Sequence, residues 1–573
     1  MILFHFQRSL KRKEKMAQKK ESKNLMTAVI LSLAVLLVFD IFFPAEKKVQ
    51  EEKIQQSTEV IVSETLPLAD ASATQLSALQ NDVSSEKIAI KSDFLKGSIR
   101  LTGAVFDDLT FLKYKKDIEK DSPDVSFLTQ NDLVFFNGKS YTPDIQMPDS
   151  ATVWSANQDT LTPETPVVLS WVNNQGVRFE RTILLDEKYM FTIEDKIINQ
   201  TENAFNMAFG ASLVRINPKL KTTASVHQGF VAFLDEDGKK SLIEENYQAL
   251  KDAEKYQTKG GWFGLTDKYW LSALSFDQQI SNVQVFADED TLDGKNVYSA
   301  DYLTPIITVA AGNAVENTVH FFAGPKDLDL LEGYQDIFPR FELAIDFGWY
   351  YFLTKPFLII LEWLYSLCGN MGIAILIFAT LLRIALLPIS AKSFVSMAKM
   401  RKIQPKLQQL QKLYKNDRMR LNQEMMMLYR KEKINPASGC LPMLIQIPVF
   451  FSLYKVLSVS IAMRQAPFFG WIQDLSAPDP TSVFTLFGLL PISLPSFLTV
   501  GVWPILMGIT MYLQQKMNPT PPDKTQASVF KWMPIIFTFM MAQFSSGLVI
   551  YWTWSNILAI AQQKYIMNKY GEK

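Results

Sequence analysis

The chain has 573 residues with 58 basic and 58 acidic side chains, so its formal net charge is zero and it is no global polycation. Hydrophobic residues make up 48%, which suits one polar part joined to one very apolar part. Two cysteines, Cys368 and Cys440, and three scattered histidines, His5, His227 and His320, indicate neither a disulfide framework nor a zinc site, and no cofactor or metal is expected.

Residues 1–25 are basic, with Arg8, Lys11, Arg12, Lys13, Lys15, Lys19, Lys20 and Lys23 against Glu14 and Glu21. Residues 26–43 then run apolar, broken only by Asp40. A cleaved signal peptide would carry an apolar core of ~7–15 residues and a small-residue cleavage site. This run is longer and ends Phe42-Phe43-Pro44, so it reads as an uncleaved signal anchor and first transmembrane helix. The basic flank places the N-terminus in the cytoplasm and sends the residues after the anchor across the membrane. Residues 44–91, rich in Glu, Ser, Gln and Ala, read as a flexible tether.

Residues 92–338 carry short β-rich runs at 167–171, 177–185, 190–198 and 302–310. Turn signals such as Asn173-Asn174, Asp237-Gly238 and Gly260-Gly261 separate them, which predicts antiparallel sheets in a β-sandwich. A helical stretch is expected at 239–250. Residues 339–369 mix bulky apolar residues with Lys355, Pro356 and Glu362 and predict an interfacial amphipathic helix.

Five apolar stretches occupy 370–565, near 371–391, 441–461, 497–514, 529–545 and 547–564, each approaching the ~20 residues a span needs. Loop charges set their orientation. Residues 392–433 hold twelve Lys/Arg against three acids and read as cytoplasmic, whereas 464–496 hold only Arg464 and read as outside. Lys516, Lys524 and Lys531 lie inside, as does the tail at 566–573. The fold class is therefore a membrane bundle of six transmembrane helices, five of them a core, plus a large exported β-sandwich, with both termini cytoplasmic. Residues 483–490 are apolar but interrupted by Pro491 and Pro495, and read as an outer loop on or in the bilayer surface.

The cytoplasmic segment 392–434 predicts a helical hairpin, broken at Asn416-Asp417. Leu407, Leu410, Leu413 and Tyr414, then Leu421, Met425, Leu428 and Tyr429, recur at helical spacing. These stripes either pack the two arms together or, through Met425, Met426 and Met427, meet a partner. The basic faces, with Lys399, Arg401 and Lys402, suit RNA or lipid headgroups equally.

Arg383 sits in an otherwise apolar span, where an arginine costs ~2.5–3.5 kcal/mol on insertion scales. It either snorkels to the bilayer surface or faces a water-filled cavity. Gln446, Thr510, Gln514, Gln543, Ser555 and Asn556 on other spans would together wet one side of the bundle. No Walker A sequence exists, because Leu133 stands where the first glycine before Gly138-Lys139-Ser140 is needed. GxSxG and HExxH are absent too, so the chain reads as no enzyme. A secondary transporter of a small anion is the alternative reading, although paired broken helices are not evident.

The C-terminal half carries, in order, Ser396-Met397-Ala398-Lys399-Met400, Gln404-Pro405-Lys406, Gln423-Glu424-Met425-Met426, Asn435-Pro436, Gly439-Cys440, Leu444-Ile445-Gln446, Arg464-Gln465-Ala466-Pro467-Phe468, Met533-Pro534-Ile535-Ile536-Phe537-Thr538 and Ser546-Gly547-Leu548. With these motifs it resembles the YidC/Oxa/Alb family of membrane insertases. Gly261-Trp262-Phe263-Gly264 and Phe321-Phe322-Ala323-Gly324-Pro325 extend the likeness to the outer domain. Ser438-Gly439 and Phe544-Ser545-Ser546-Gly547 depart from the commoner family wording.

The resemblance implies an inner-membrane insertase and chaperone of a Gram-negative bacterium, with a periplasmic domain of the supersandwich type. It implies a groove arginine at Arg383, and clients sliding along the third and fifth spans at Met443, Ile447, Phe451, Pro534, Phe537 and Met541. Implied partners are newly made membrane proteins, the Sec translocon, a ribosome or targeting factor at the hairpin, and membrane lipid, but no specific nucleic acid.

Overall fold

The computed structural model describes residues 85–218, 226–251, 253–415, 417–434, 441–487, 499–519 and 524–571. The basic N-terminus, the signal anchor, most of the tether, the motif at 435–440 and the loop at 488–498 lie outside the described residues. The ordered domain begins earlier than expected: strand Lys87–Lys91 lies inside the segment read as tether and pairs with Leu95–Arg100. Its alternation of exposed and buried residues places Ile88 and Ile90 in the core.

Among the described residues, 11 strands form one sheet and 9 another, antiparallel except where Lys87–Lys91 meets Thr160–Leu161. One apolar core lies between them. Phe106 of the first sheet meets Phe191 and Phe321 of the second edge-on, at centroid distances of 5.2 and 5.6 Å. Strands occupy Val167–Val172, Val177–Leu185 and Met190–Asn199, in line with the alternating runs. The run at 302–310 is instead two strands, Lys295–Leu303 and Ile307–Val309, because Pro305 has no N–H for the ladder. The helix expected at 239–250 is strand Lys239–Asn246 with a short 3-10 turn, Tyr247–Ala249. Asp237 and Gly238, both at positive φ, turn the chain so that this strand pairs back on Gly229–Glu236. The hairpin turn overrides the helix-forming Lys and Glu residues.

Among the described residues, the domain leads into eight helices: α1 Tyr351–Cys368, α2 Met371–Ala385, α3 Leu387–Leu413, α4 Arg418–Lys431, α5 Leu441–Val459, α6 Val502–Met517, α7 Lys524–Met541 and α8 Ser546–Gly571. α1 buries Thr354, Phe357, Leu358, Leu361 and Leu364, and Phe357 packs edge-on against Phe378 of α2. Its other face exposes Phe352, Ile359, Ile360 and Trp363, and the helix is itself long and apolar enough to cross a membrane. The stretch near 371–391 is not one straight helix. It bends by 66° between α2 and α3, where Pro388 at the start of α3 lacks the N–H that would continue α2. α3 then runs unbroken into the hairpin, so the first arm starts at Leu387 rather than 392. α5 to α8 overlap the remaining four apolar stretches with shifted ends.

Candidate functional site

Most of the polar side chains singled out on the helices gather on one side of α8, while Gln543 is exposed in the turn after α7 and stands apart from them. Gln446 of α5 donates from Nε2 to the Tyr551 hydroxyl at 3.0 Å. Ser555, one turn on, and Arg383 of α2 both lie within electrostatic reach of the same hydroxyl. Arg383 is half-buried, and its Nε is buried without a hydrogen-bond partner among the described residues. Further along, Asn556 donates to Thr510 Oγ1 of α6 at 3.2 Å. Gln514 is half-buried one turn beyond Thr510. Gln563 is fully buried and donates to Asn518 Oδ1 at 3.0 Å. Tyr551, Ser555 and Gln563 repeat at helical spacing, so α8 presents a polar seam to α2, α5 and α6.

Apolar walls flank the seam. On α5, Leu444, Ile447 and Phe451 are exposed, Phe451 to 48%. Trp552 of α8 stands between α5 and α7, with ring centroids 4.9 Å from Phe450 and 5.6 Å from Phe537. The α7 positions expected to meet a client lie elsewhere. Met541 is 2% exposed and packs with Met507 and Val549, Pro534 is buried, and Phe537 is half-buried. The outward face of α7 is Ile535, Ile536, Phe539 and Met540.

Gly508 sets this rotation. A Cβ there would fall 2.0 Å from Thr538 Oγ1, so α6 approaches α7 closely along the row of Pro534, Thr538 and Met541. Thr538 donates to the Pro534 carbonyl at 2.8 Å inside the same contact. Met443 lies in α5, with its side chain outside the described residues.

In the hairpin, Ile403, Leu407, Tyr429 and Ile434 form a small core with Met400, Met425 and Leu428 against it. Met425 therefore faces the other arm, while Met426 and Met427 point outward. Lys399, Arg401 and Lys402 are exposed on α3. Asp417 caps α4 by accepting from the Arg420 N–H at 3.1 Å.

Sequence reasoning missed two features. Tyr551 stands in an apolar run, and only the three-dimensional approach of Gln446 reveals its hydroxyl as the hub. The second is the junction of domain and bundle. Asp346 accepts from Lys455 Nζ of α5 at 2.6 Å and from the His227 N–H at 2.8 Å. Arg464 covers the Trp270 ring at 5.6 Å and donates to the Lys116 carbonyl at 3.1 Å, while Gln465 reaches the Lys115 carbonyl. The lone basic residue of an acidic-to-neutral loop was the available signal.

Known proteins resemble the chain along most of its length. Residues 363–573 match the family model described as 60Kd inner membrane protein, and residues 87–360 match YidC periplasmic domain. Membrane protein insertase YidC of Rickettsia massiliae is 43% identical over 561 residues, covering 96% of this chain and 99% of that protein. Its namesake in Rhizobium meliloti is 41% identical over 585 residues, covering 96% of each. A crystal structure of an active YidC insertase with its first transmembrane domain resolved aligns at 19% identity, covering 83% of this chain and 92% of the other, with a TM-score of 0.35.

Proposed function

The chain belongs to the YidC family of membrane protein insertases, inner-membrane proteins with a periplasmic domain, and on that premise we propose that it works through a hydrated, positively charged groove between α2, α5, α6 and α8. The convergence of Arg383, Gln446, Tyr551 and Ser555 carries this reading. Arg383 Nε is buried without a hydrogen-bond partner among the described residues, and a charged side chain so placed is far less costly where the rest of its guanidinium faces water than where it faces hydrocarbon. The signal anchor and the helices of the core cross the membrane, α1 lies along its outer surface, and both termini are cytoplasmic.

The driving force comes from the client. A helix of ~20 apolar residues gains roughly 0.3–0.6 kcal/mol per residue in lipid, on the order of 10 kcal/mol, against ~3 kcal/mol for each charge carried across. The overall change is favourable, so the insertase lowers a barrier and needs no nucleotide or cofactor. Arg383 draws acidic residues of the outgoing tail into the groove. The client helix then slides between the exposed apolar faces of α5, at Ile447 and Phe451, and of α7, at Ile535 and Ile536, and leaves sideways into lipid. The hairpin receives clients from a ribosome or targeting factor through Met426, Met427 and the basic face of α3. The protein acts alone or beside the Sec translocon and also assists folding.

The test is insertion of a single-span client with an acidic outer tail into liposomes holding only this protein, read by protease protection of the tail. Protein-dependent protection is expected. Protection no greater than in empty liposomes would overturn autonomous insertion.

A further inference from the structure

The outer loop between α5 and α6 is built around one carboxylate. Asp479 is buried and accepts from Trp471 Nε1 at 3.1 Å, from the Thr481 N–H at 3.0 Å, from the Thr481 hydroxyl at 2.6 Å and from the Trp503 N–H at 2.9 Å. These bonds tie the loop to the first turn of α6, and the Val483 N–H donates to the Val500 carbonyl beside it at 3.1 Å. Residues 483–487 then form a tight turn in which the Phe487 N–H returns to the Ser482 carbonyl at 2.9 Å.

The turn is unusual in what it exposes. Leu486 and Phe487 hold positive φ, at 47° and 59°, a region that bulky side chains rarely adopt. Phe484, Leu486 and Phe487 are nonetheless turned outward, Phe487 to 60%. A polar or glycine-rich turn would be easier to form in water, so the sequence accepts backbone strain in order to project three large apolar groups.

The helix below supplies the occupant. α6 has 16 residues, roughly 24 Å at ~1.5 Å per residue, short of the ~30 Å hydrocarbon core. Its exposed stripe of Leu506, Ile509, Tyr512 and Leu513 is continuous in chemistry with the turn latched to its outer end. Trp471, half exposed with its N–H satisfied by Asp479, suits the boundary between lipid and water.

We propose that residues 483–487 form a lipid-inserted wedge, carrying Phe484, Leu486 and Phe487 into the acyl region of the outer leaflet and completing the apolar height that α6 lacks. The inference rests on α6 spanning the membrane. The test is a nitroxide at position 487 (Phe487→Cys with Cys368→Ser and Cys440→Ser) in phosphatidylcholine–phosphatidylglycerol vesicles. Collision rates with oxygen and with a water-soluble nickel chelate are compared, using Leu506→Cys as the lipid reference and Asp237→Cys as the aqueous one. The expected result is an oxygen-favoured ratio matching position 506, with the same at Phe484→Cys should the first label disturb the turn. A nickel-favoured ratio matching position 237 would overturn the wedge, as would protection from both reagents, which means contact with protein. A nickel-favoured ratio at position 506 as well would overturn the spanning of α6 itself.

Discussion

Removing one oxygen from the seam separates a wet groove from a dry interface. Tyr551→Phe deprives Gln446 Nε2 of its acceptor at 3.0 Å. In a dry interface the unpaired amide costs roughly 1–3 kcal/mol. Where water reaches it, the amide turns to solvent and the loss falls to the net worth of one bond exchanged with water, about 0.5–1.5 kcal/mol. Gln446 is half-buried rather than enclosed, which places the expectation at the lower figure. Reversible unfolding in lipid bicelles of Gln446→Leu, Tyr551→Phe and the double variant measures both the loss and the coupling. A loss of about 2 kcal/mol or more with matching coupling would make the pair a strut in a dry interface and refute the water path at that level.

Asp346→Ala removes the ion pair with Lys455 and the acceptor of the His227 N–H at the domain junction and should cost about 1–3 kcal/mol in denaturant unfolding, while Asp346→Asn keeps an acceptor for His227 and costs less. Equal, negligible losses would show that the ion pair is not what fastens the domain. Gly508→Ala should lower thermal stability by ~1–3 kcal/mol, and adding Thr538→Ala should restore most of it, since the clash is with Thr538 Oγ1. Failure of the second change to rescue would place the close approach elsewhere. Complete burial, reinforced by Asp288, pushes the Asp301 carboxyl up to about 6 from its ordinary 3.8, against a hydrogen bond from Ser299. Its folded state therefore holds the proton more tightly than its unfolded state. That contribution is fully present below pH ~4 and is lost as pH rises through 6. Asp301→Asn should thus stabilise the periplasmic domain by ~1–3 kcal/mol at pH 8 and by little at pH 4, and a pH-independent difference in melting would contradict the assignment.

Much of the site was legible because the expensive groups are rare. A guanidinium, two amides and a hydroxyl at Arg383, Gln446, Asn556 and Ser555 stand out in apolar runs; Arg383 and Gln446 approach Tyr551 of α8, and Asn556 of α8 bonds Thr510 of α6. The exposed faces were less legible. Ile447 and Phe451 lie open, but the expected face of α7 is occupied by α6, because a single glycine decides how closely two helices approach. The strand at Lys239–Asn246 was hidden for a related reason: helix-forming residues carry little weight against a two-residue turn and a waiting partner strand. Arg464 read as a topology marker, whereas it also docks the domain, and nothing in its sequence neighbours announces Trp270.

In the proposed mechanism Arg383 acts through its charge on the client's outgoing tail. The direct measurement compares wild type, Arg383→Ala and Arg383→Lys in liposomes, with clients differing only in an acidic, neutral or basic outer tail. If the charge acts directly, Arg383→Ala slows the acidic-tailed client selectively, spares the neutral one, and is largely rescued by Arg383→Lys. Equal slowing of all three tails, or none of any, would contradict it.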